Sequence, residues 1–222
     1  MPVRAATVAD ALVLERARLR VEIARRPFAI DVRRDGRRLV RGLGIWCADG
    51  AIEDQFIQFT EGVIAAESLE VPERVGSASV AEPLADGLEL ALRFEGGRGG
   101  RLRITLPQDE RVHFELDGVQ PPPLRWAIGW DARADEHFAG LGARHALRVD
   151  HAGRRIQLGA DRTYTGPDCP PDMLTIGGVP QGDYAPMPWV QSSRGYAAHL
   201  DGHGNGTRLH FGADRTTISA RA

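Results

Sequence analysis

Asp135 and Glu136 are adjacent carboxylates, and cleavage of a glycosidic bond uses two such groups facing each other across it. Neighbours on an extended chain point to opposite sides, so the pair reads as two solvated surface acids. His199 and His203 stand four apart, a spacing that shares one face only on a helix. Their segment alternates like a strand and runs into glycines, which argues against a metal site. The run Gly96-Gly97-Arg98-Gly99-Gly100 would cradle a phosphate if it opened a helix. A strand pattern follows it instead, and it reads as a flexible hairpin loop. Cys47 and Cys169 lie far apart without a C-x-x-C partner, so they read as buried free thiols rather than zinc ligands or a disulfide. The sequon Asn205-Gly206-Thr207 reads as a hairpin turn. No catalytic residue, metal or cofactor is expected from these groups.

The charge pattern excludes further classes. All 28 basic residues are arginine, 30 acidic residues are interspersed among them, and the net charge is -2. No basic stripe of the kind that neutralises phosphates stands out, so nucleic acid is not an expected partner. The arginine bias reads as the codon usage of a GC-rich, bacterial genome. The first apolar stretch, 11–14, is bounded by Asp10 and Glu15, too short for a signal-peptide core or a membrane span. A cytoplasmic chain without membrane contact is expected. At 42% hydrophobic and 26% charged residues, a chain of 222 residues can bury a sizeable core.

The elements that must position any site are strands. Leu19, Val21 and Ile23 alternate with polar residues, as do Leu88, Leu90, Leu92 and Phe94, then Leu102, Ile104 and Leu106, then Val112, Phe114 and Leu116. Period two marks half-buried antiparallel strands. Turn signals at Asp35-Gly36, Asp49-Gly50, Asp86-Gly87, Gly96-Gly97, Asp117-Gly118 and Asn205-Gly206 punctuate them. With 26 glycines and 14 prolines, helix is scarce; one is expected over 8–19, capped by Thr7. Pro121-Pro122-Pro123 reads as a connection within one domain, and 164–188 as the longest irregular stretch. The expected fold is an all-β antiparallel β-sandwich, one domain over 1–222, with a last strand at Thr217-Ala220 that reads as cut inside its sheet.

Four runs carry a resemblance. His137-Phe138-Ala139-Gly140-Leu141-Gly142-Ala143-Arg144 is similar to aromatic-x-Gly-Leu-Gly-Glu-Arg, with Ala143 where the pattern has glutamate. Residues 150–158, DHAGRRIQL, match a D-x-x-G-R-x-x-x-L hairpin. Gly182-Asp183-Tyr184 leading to Pro186-Met187-Pro188-Trp189 matches D-Y-x-x-x-P-aromatic, and Ser192-Ser193-Arg194-Gly195-Tyr196 matches S-x-R-G-Y. In this order, over about 125–212, they resemble the N-terminal domain of glycoside hydrolase family 31 enzymes, the α-glucosidase and α-xylosidase type.

The resemblance implies a galactose-mutarotase-like supersandwich packed against a following (β/α)₈ catalytic barrel, normally in the same chain, without mutarotase activity. The family's two catalytic carboxylates lie in that barrel, the nucleophile in a Trp-x-Asp-Met-Asn run. No methionine here precedes an asparagine, and a barrel of about 250 residues does not fit beside the sandwich. The expected role is therefore non-catalytic: shaping a subsite for an α-linked sugar or oligosaccharide. The resemblance points to Asp161, in a loop over the barrel mouth, as a sugar ligand, against a turn-forming aspartate. Tyr184 and Trp189 are the candidates for stacking on a sugar ring, against burial of Trp189 in the core or at the barrel interface. A free-standing carbohydrate-binding module and a structural interaction domain are the alternatives.

Overall fold

Alternating sequences bury one face of a strand and wet the other, and such strands must pair and then pack face to face. The computed structural model describes residues 2–8, 10–57, 62–69, 71–143, 150–158, 175–176, 179–180, 185–201 and 207–221. They form antiparallel strands with no helix among them. In chain order these are β1 Arg4–Val8, β2 Ala11–Arg16, β3 Leu19–Arg25, β4 Phe28–Arg34, β5 Arg37–Ala48, β6 Gly50–Ile57, β7 Gly62–Leu69, β8 Glu73–Leu84, β9 Gly87–Phe94 and β10 Gly99–Gln108. Then come β11 Arg111–Gln120, β12 Arg125–Asp131, β13 Phe138–Ala143, β14 Arg155–Gln157, β15 Thr175–Ile176, β16 Val179–Pro180, β17 Ala185–Ser192, β18 Tyr196–His199, β19 Arg208–Phe211 and β20 Arg215–Arg221. The chain divides into two compact units, one of residues 1–49 and 71–130, the other of residues 50–70 and 131–221.

The first unit is a sandwich. Strands β1 to β5 form one meander, and β8 to β11 form a second layer. Strand β5 is long enough to pair β4 along its first half and β12 and β8 near its end. Leu14, Val21, Ile23 and Ile30 from one layer and Leu90, Leu102, Ile104 and Leu106 from the other are fully buried, with β2 packed on β10 and β4 on β8. The second unit pairs β14 with β19 and β19 with β20, and builds a separate three-stranded sheet in the order β13-β17-β18. Phe138 and Phe211 face each other in its core with ring centroids 4.7 Å apart. The hairpins β6-β7 and β15-β16 belong to it too.

Two local expectations are corrected. The helix over 8–19 is the strand β2, hydrogen-bonded on both sides to β1 and β3. Leu12, Val13 and Leu14 are consecutive and all buried, which a strand achieves only when both faces are covered; such a run has no period to separate strand from helix. Asp117-Gly118 is not a turn but a bulge inside β11, where Gly118 takes φ +60° and the register to β10 slips. By contrast Asp35-Gly36 is the two-residue β4-β5 turn, both residues at positive φ. Cys47 is a buried free thiol, and burial pushes its pKa up.

The glycine-rich β9-β10 loop is a hairpin end, as its pattern predicts, but Arg98 within it is only 7% exposed. Its guanidinium donates to Glu73 at 2.6 Å, to Asp49, and to the Pro121 carbonyl at 3.0 Å. Asp49 follows β5 and Glu73 opens β8, so Arg98 ties the points where the chain leaves this unit and returns. Arg103, 44% exposed, pairs with Glu89 and Glu115 on the outer face of the same layer. Removing the buried guanidinium loses three hydrogen bonds, two of them to carboxylates, whereas an exposed pair is already solvated. Urea denaturation should therefore find Arg98→Leu destabilised by about 1.5–3 kcal/mol and Arg103→Leu by less than about 1 kcal/mol. Equal losses would refute the distinction.

Candidate functional site

The described parts of the four runs singled out in the sequence lie in the second unit. The H-F-A-G-L-G run forms β13, the P-M-P-W run forms β17, and S-S-R-G-Y turns β17 into β18. Gly140, Leu141 and Gly142 all have positive φ, at +118°, +70° and +82°. A Cβ on Gly140 would lie 2.6 Å from the Trp189 carbonyl oxygen, so a side chain there is excluded on space as well as on backbone conformation. Leu141 accepts the strained conformation while burying its side chain completely. Opposite it, the register passes from Gly140↔Val190 directly to Gly142↔Pro186, leaving Met187, Pro188 and Trp189 facing a single residue. A proline fits there because the β13 ladder asks no donor of it.

Freed from that ladder, this stretch of β17 presents apolar groups to solvent: Met187 is 55% exposed and Trp189 40%. Trp189 pairs across strands with His199 on β18, ring centroids 6.0 Å apart and planes inclined at 51°. Gln191 and His199 are exposed on the same strands. An indole with polar neighbours suits a ligand that has one apolar and one hydroxylated face. Of the expected sugar contacts, Trp189 is thus surface-accessible, not core, while Asp161 and Tyr184 lie outside the described residues, as do Cys169, His203 and the Asn205-Gly206 turn.

The acidic pair is not two solvated groups. Asp135 is exposed, but Glu136 is 2% exposed and its Oε1 accepts from the Ser192 hydroxyl at 2.5 Å and the Tyr196 hydroxyl at 2.6 Å. Sequence neighbours on extended backbone do point apart, and here one side is the unit's interior. Next to it, His137 and Ser193 exchange two hydrogen bonds, His137 N–H to Ser193 Oγ at 3.0 Å and Ser193 N–H to the His137 carbonyl at 2.9 Å. Glu136 was invisible as a buried acceptor because its partners lie 56 and 60 positions away. The one usable signal is that it abuts one run of the pattern while both donors belong to another.

The D-x-x-G-R run is clasped to the same strand. Asp150 Oδ1 accepts from the N–H groups of Phe138 at 3.1 Å and Ala152 at 3.0 Å, and Oδ2 lies 2.7 Å from His137 Nδ1. Burial pushes this carboxyl upward, but the Ala152 N–H, the His137 ring and the Phe138 N–H outweigh it and hold the pKa at about 2. His151 Nε2 lies 3.3 Å from the Gly140 carbonyl.

No protein-family model matches this chain, and no curated protein matches it. Among solved structures, a GH31 family sulfoquinovosidase from E. rectale, in complex with the aza-sugar inhibitor IFGSQ, matches with a TM-score of 0.59 at 13% identity, over 97% of this chain and 30% of that one. A Flavobacterium johnsoniae GH31 dextranase matches at 15% identity with a TM-score of 0.34, over 98% of this chain and 24% of that one. A GH31 α-xylosidase from a soil metagenome matches at 16% identity and 0.34, over 99% and 31%. The first match establishes a shared fold, and the two lower scores carry no structural weight. The chain spans under a third of the length of each of these GH31 enzymes.

Because the folded-state pKa of Asp150 is depressed, its stabilisation is present above the ordinary value near 3.8 and is lost as pH falls toward 2. Asp150→Ala should cost about 1–2 kcal/mol at neutral pH, and the gap to the parent protein should narrow steadily between pH 5 and pH 2 in urea titrations. A gap that stays constant over that range would show that the carboxylate charge plays no part.

Proposed function

We propose that this chain is the N-terminal β-sandwich domain of a retaining α-glycosidase of the GH31 type, which helps form a subsite for an α-linked sugar and does not hydrolyse it alone. The observation that carries the reading is that the described parts of three family-like runs build one small sheet, to which Asp150 of the fourth is hydrogen-bonded, and that this sheet exposes Trp189 beside His199. A sandwich fold shared with under a third of a sulfoquinovosidase adds support, since most of such an enzyme lies beyond the matched part. Trp189 stacks on a pyranose face, with Asp161 and Tyr184 as the further sugar contacts, and the catalytic carboxylates belong to a (β/α)₈ barrel.

A second reading, an interaction domain that covers a partner, draws on Met187 and Trp189 as adjacent exposed apolar groups. The two separate on sugar binding. Purified protein should release no nitrophenol from aryl α-glucosides or α-xylosides; measurable turnover would sink the non-catalytic reading. Calorimetric titration with maltose and with isoprimeverose should reveal weak binding that Trp189→Ala lowers about tenfold, the scale of one lost aromatic stack. No binding to either sugar, together with self-association that Trp189→Ala relieves, would favour the interaction domain.

A further inference from the structure

Glu136 is buried on one side of the three-stranded sheet, bonded to Ser192 and Tyr196, and Trp189 and His199 are exposed on the other. The β17-β18 ladder has four pairs, closed at the turn by Ser192↔Tyr196 and ended by Trp189↔His199. Both hydroxyls of the closing pair donate to one oxygen, Glu136 Oε1, so a single side chain on the preceding segment fixes both strands at once. Ser192 Oγ also accepts from the Arg194 N–H at 3.1 Å, which sets the turn. The His137-Ser193 exchange holds the backbone on either side. Strands of this length twist readily, and a slip at the closing pair carries to the far end of the ladder three residues away.

Packing alone does not require a carboxylate here. Among the described residues, Glu136 Oε2 is buried without a hydrogen-bond partner, an arrangement that costs stability relative to an apolar side chain of the same size. What the apolar side chain cannot do is gather two hydroxyls on one point, and charge-assisted acceptors hold such donors at short range.

We infer that Glu136 is a positioning residue: by joining Ser192 to Tyr196 it holds Trp189 and His199 as one fixed pair, the platform on which the sugar reading rests. The glutamine variant keeps an acceptor oxygen for both hydroxyls, and the leucine variant keeps only bulk. With the rings 6.0 Å apart, the ring protons of His199, assigned with His199→Gln, should carry a ring-current shift from Trp189 in the folded protein. Glu136→Leu should collapse that shift and weaken maltose or isoprimeverose binding at least fivefold, while Glu136→Gln restores most of both.

A purely structural role predicts a lower melting temperature in Glu136→Leu with the His199 shift and the sugar affinity unchanged, and that result overturns the inference. If Glu136→Leu does not fold, Ser192→Ala and Tyr196→Phe each remove one donor and are read in the same way. Sugar affinity that is indifferent to Trp189→Ala while the His199 shift still follows Glu136 would remove the sugar reading and leave the positioning role standing.

Discussion

The Trp189 carbonyl oxygen lies 2.6 Å from where a Cβ of residue 140 would have to be. That close approach between two backbones forces glycine at 140, and the left-handed run through Leu141 and Gly142 follows, because the strand must return to register with β17 two residues on. Burial of the Leu141 side chain opposes the strain, and the bulge lifts Met187 and Trp189 off the β13 ladder. Trp189 shares the solvent-facing side of β17 with Gln191, while Val190 and Ser192 face inward. The two glycines of the G-L-G run are needed for geometry, while the leucine is needed for the core.

Charge does different work in the two units. Arginine supplies every cation in the chain, and most of its pairs lie on solvated strand faces, where side-chain entropy and screening leave little net gain. Arg98 and Glu136 are exceptions of opposite kind. Arg98 brings a buried fork to acceptors from three separate segments, a task suited to a planar guanidinium with five donors. Glu136 is an acceptor on which two hydroxyls converge. Each joins parts of the chain far apart in sequence.

The strands of the sandwich were legible because period two is a local property: Leu88, Leu90, Leu92 and Phe94 announce their common face without reference to anything else. The segment at 11–14 was not, since an apolar run without period is the same for a doubly covered strand and a buried helix, and only pairing with β1 and β3 decides. Asp117-Gly118 has the composition of a turn, and its bulge depends on the neighbouring strand's register. At the site, the exposure of Trp189 could not be read from its strand context, which suggested burial. Glu136 and Arg98 were misjudged for one reason: an acidic pair and a glycine-rich loop have bland surface readings, and burial of a charge is decided by partners dozens of positions distant.

The same geometry bears on what Glu136 can do. A carboxylate that acts as acid or base must reach a substrate proton directly or through one water. Glu136 is 2% exposed, and the oxygen that does bond is occupied by two side-chain hydroxyls. Its neighbour Asp135 faces solvent on the other side of the backbone, so the two cannot flank a common bond as a glycosidase pair must. The acidic dipeptide that resembles catalytic equipment in sequence is, in the fold, one surface charge and one buried hinge pin. A pair of carboxylates able to flank a bond in a sugar stacked on Trp189, as we propose, is therefore not this dipeptide.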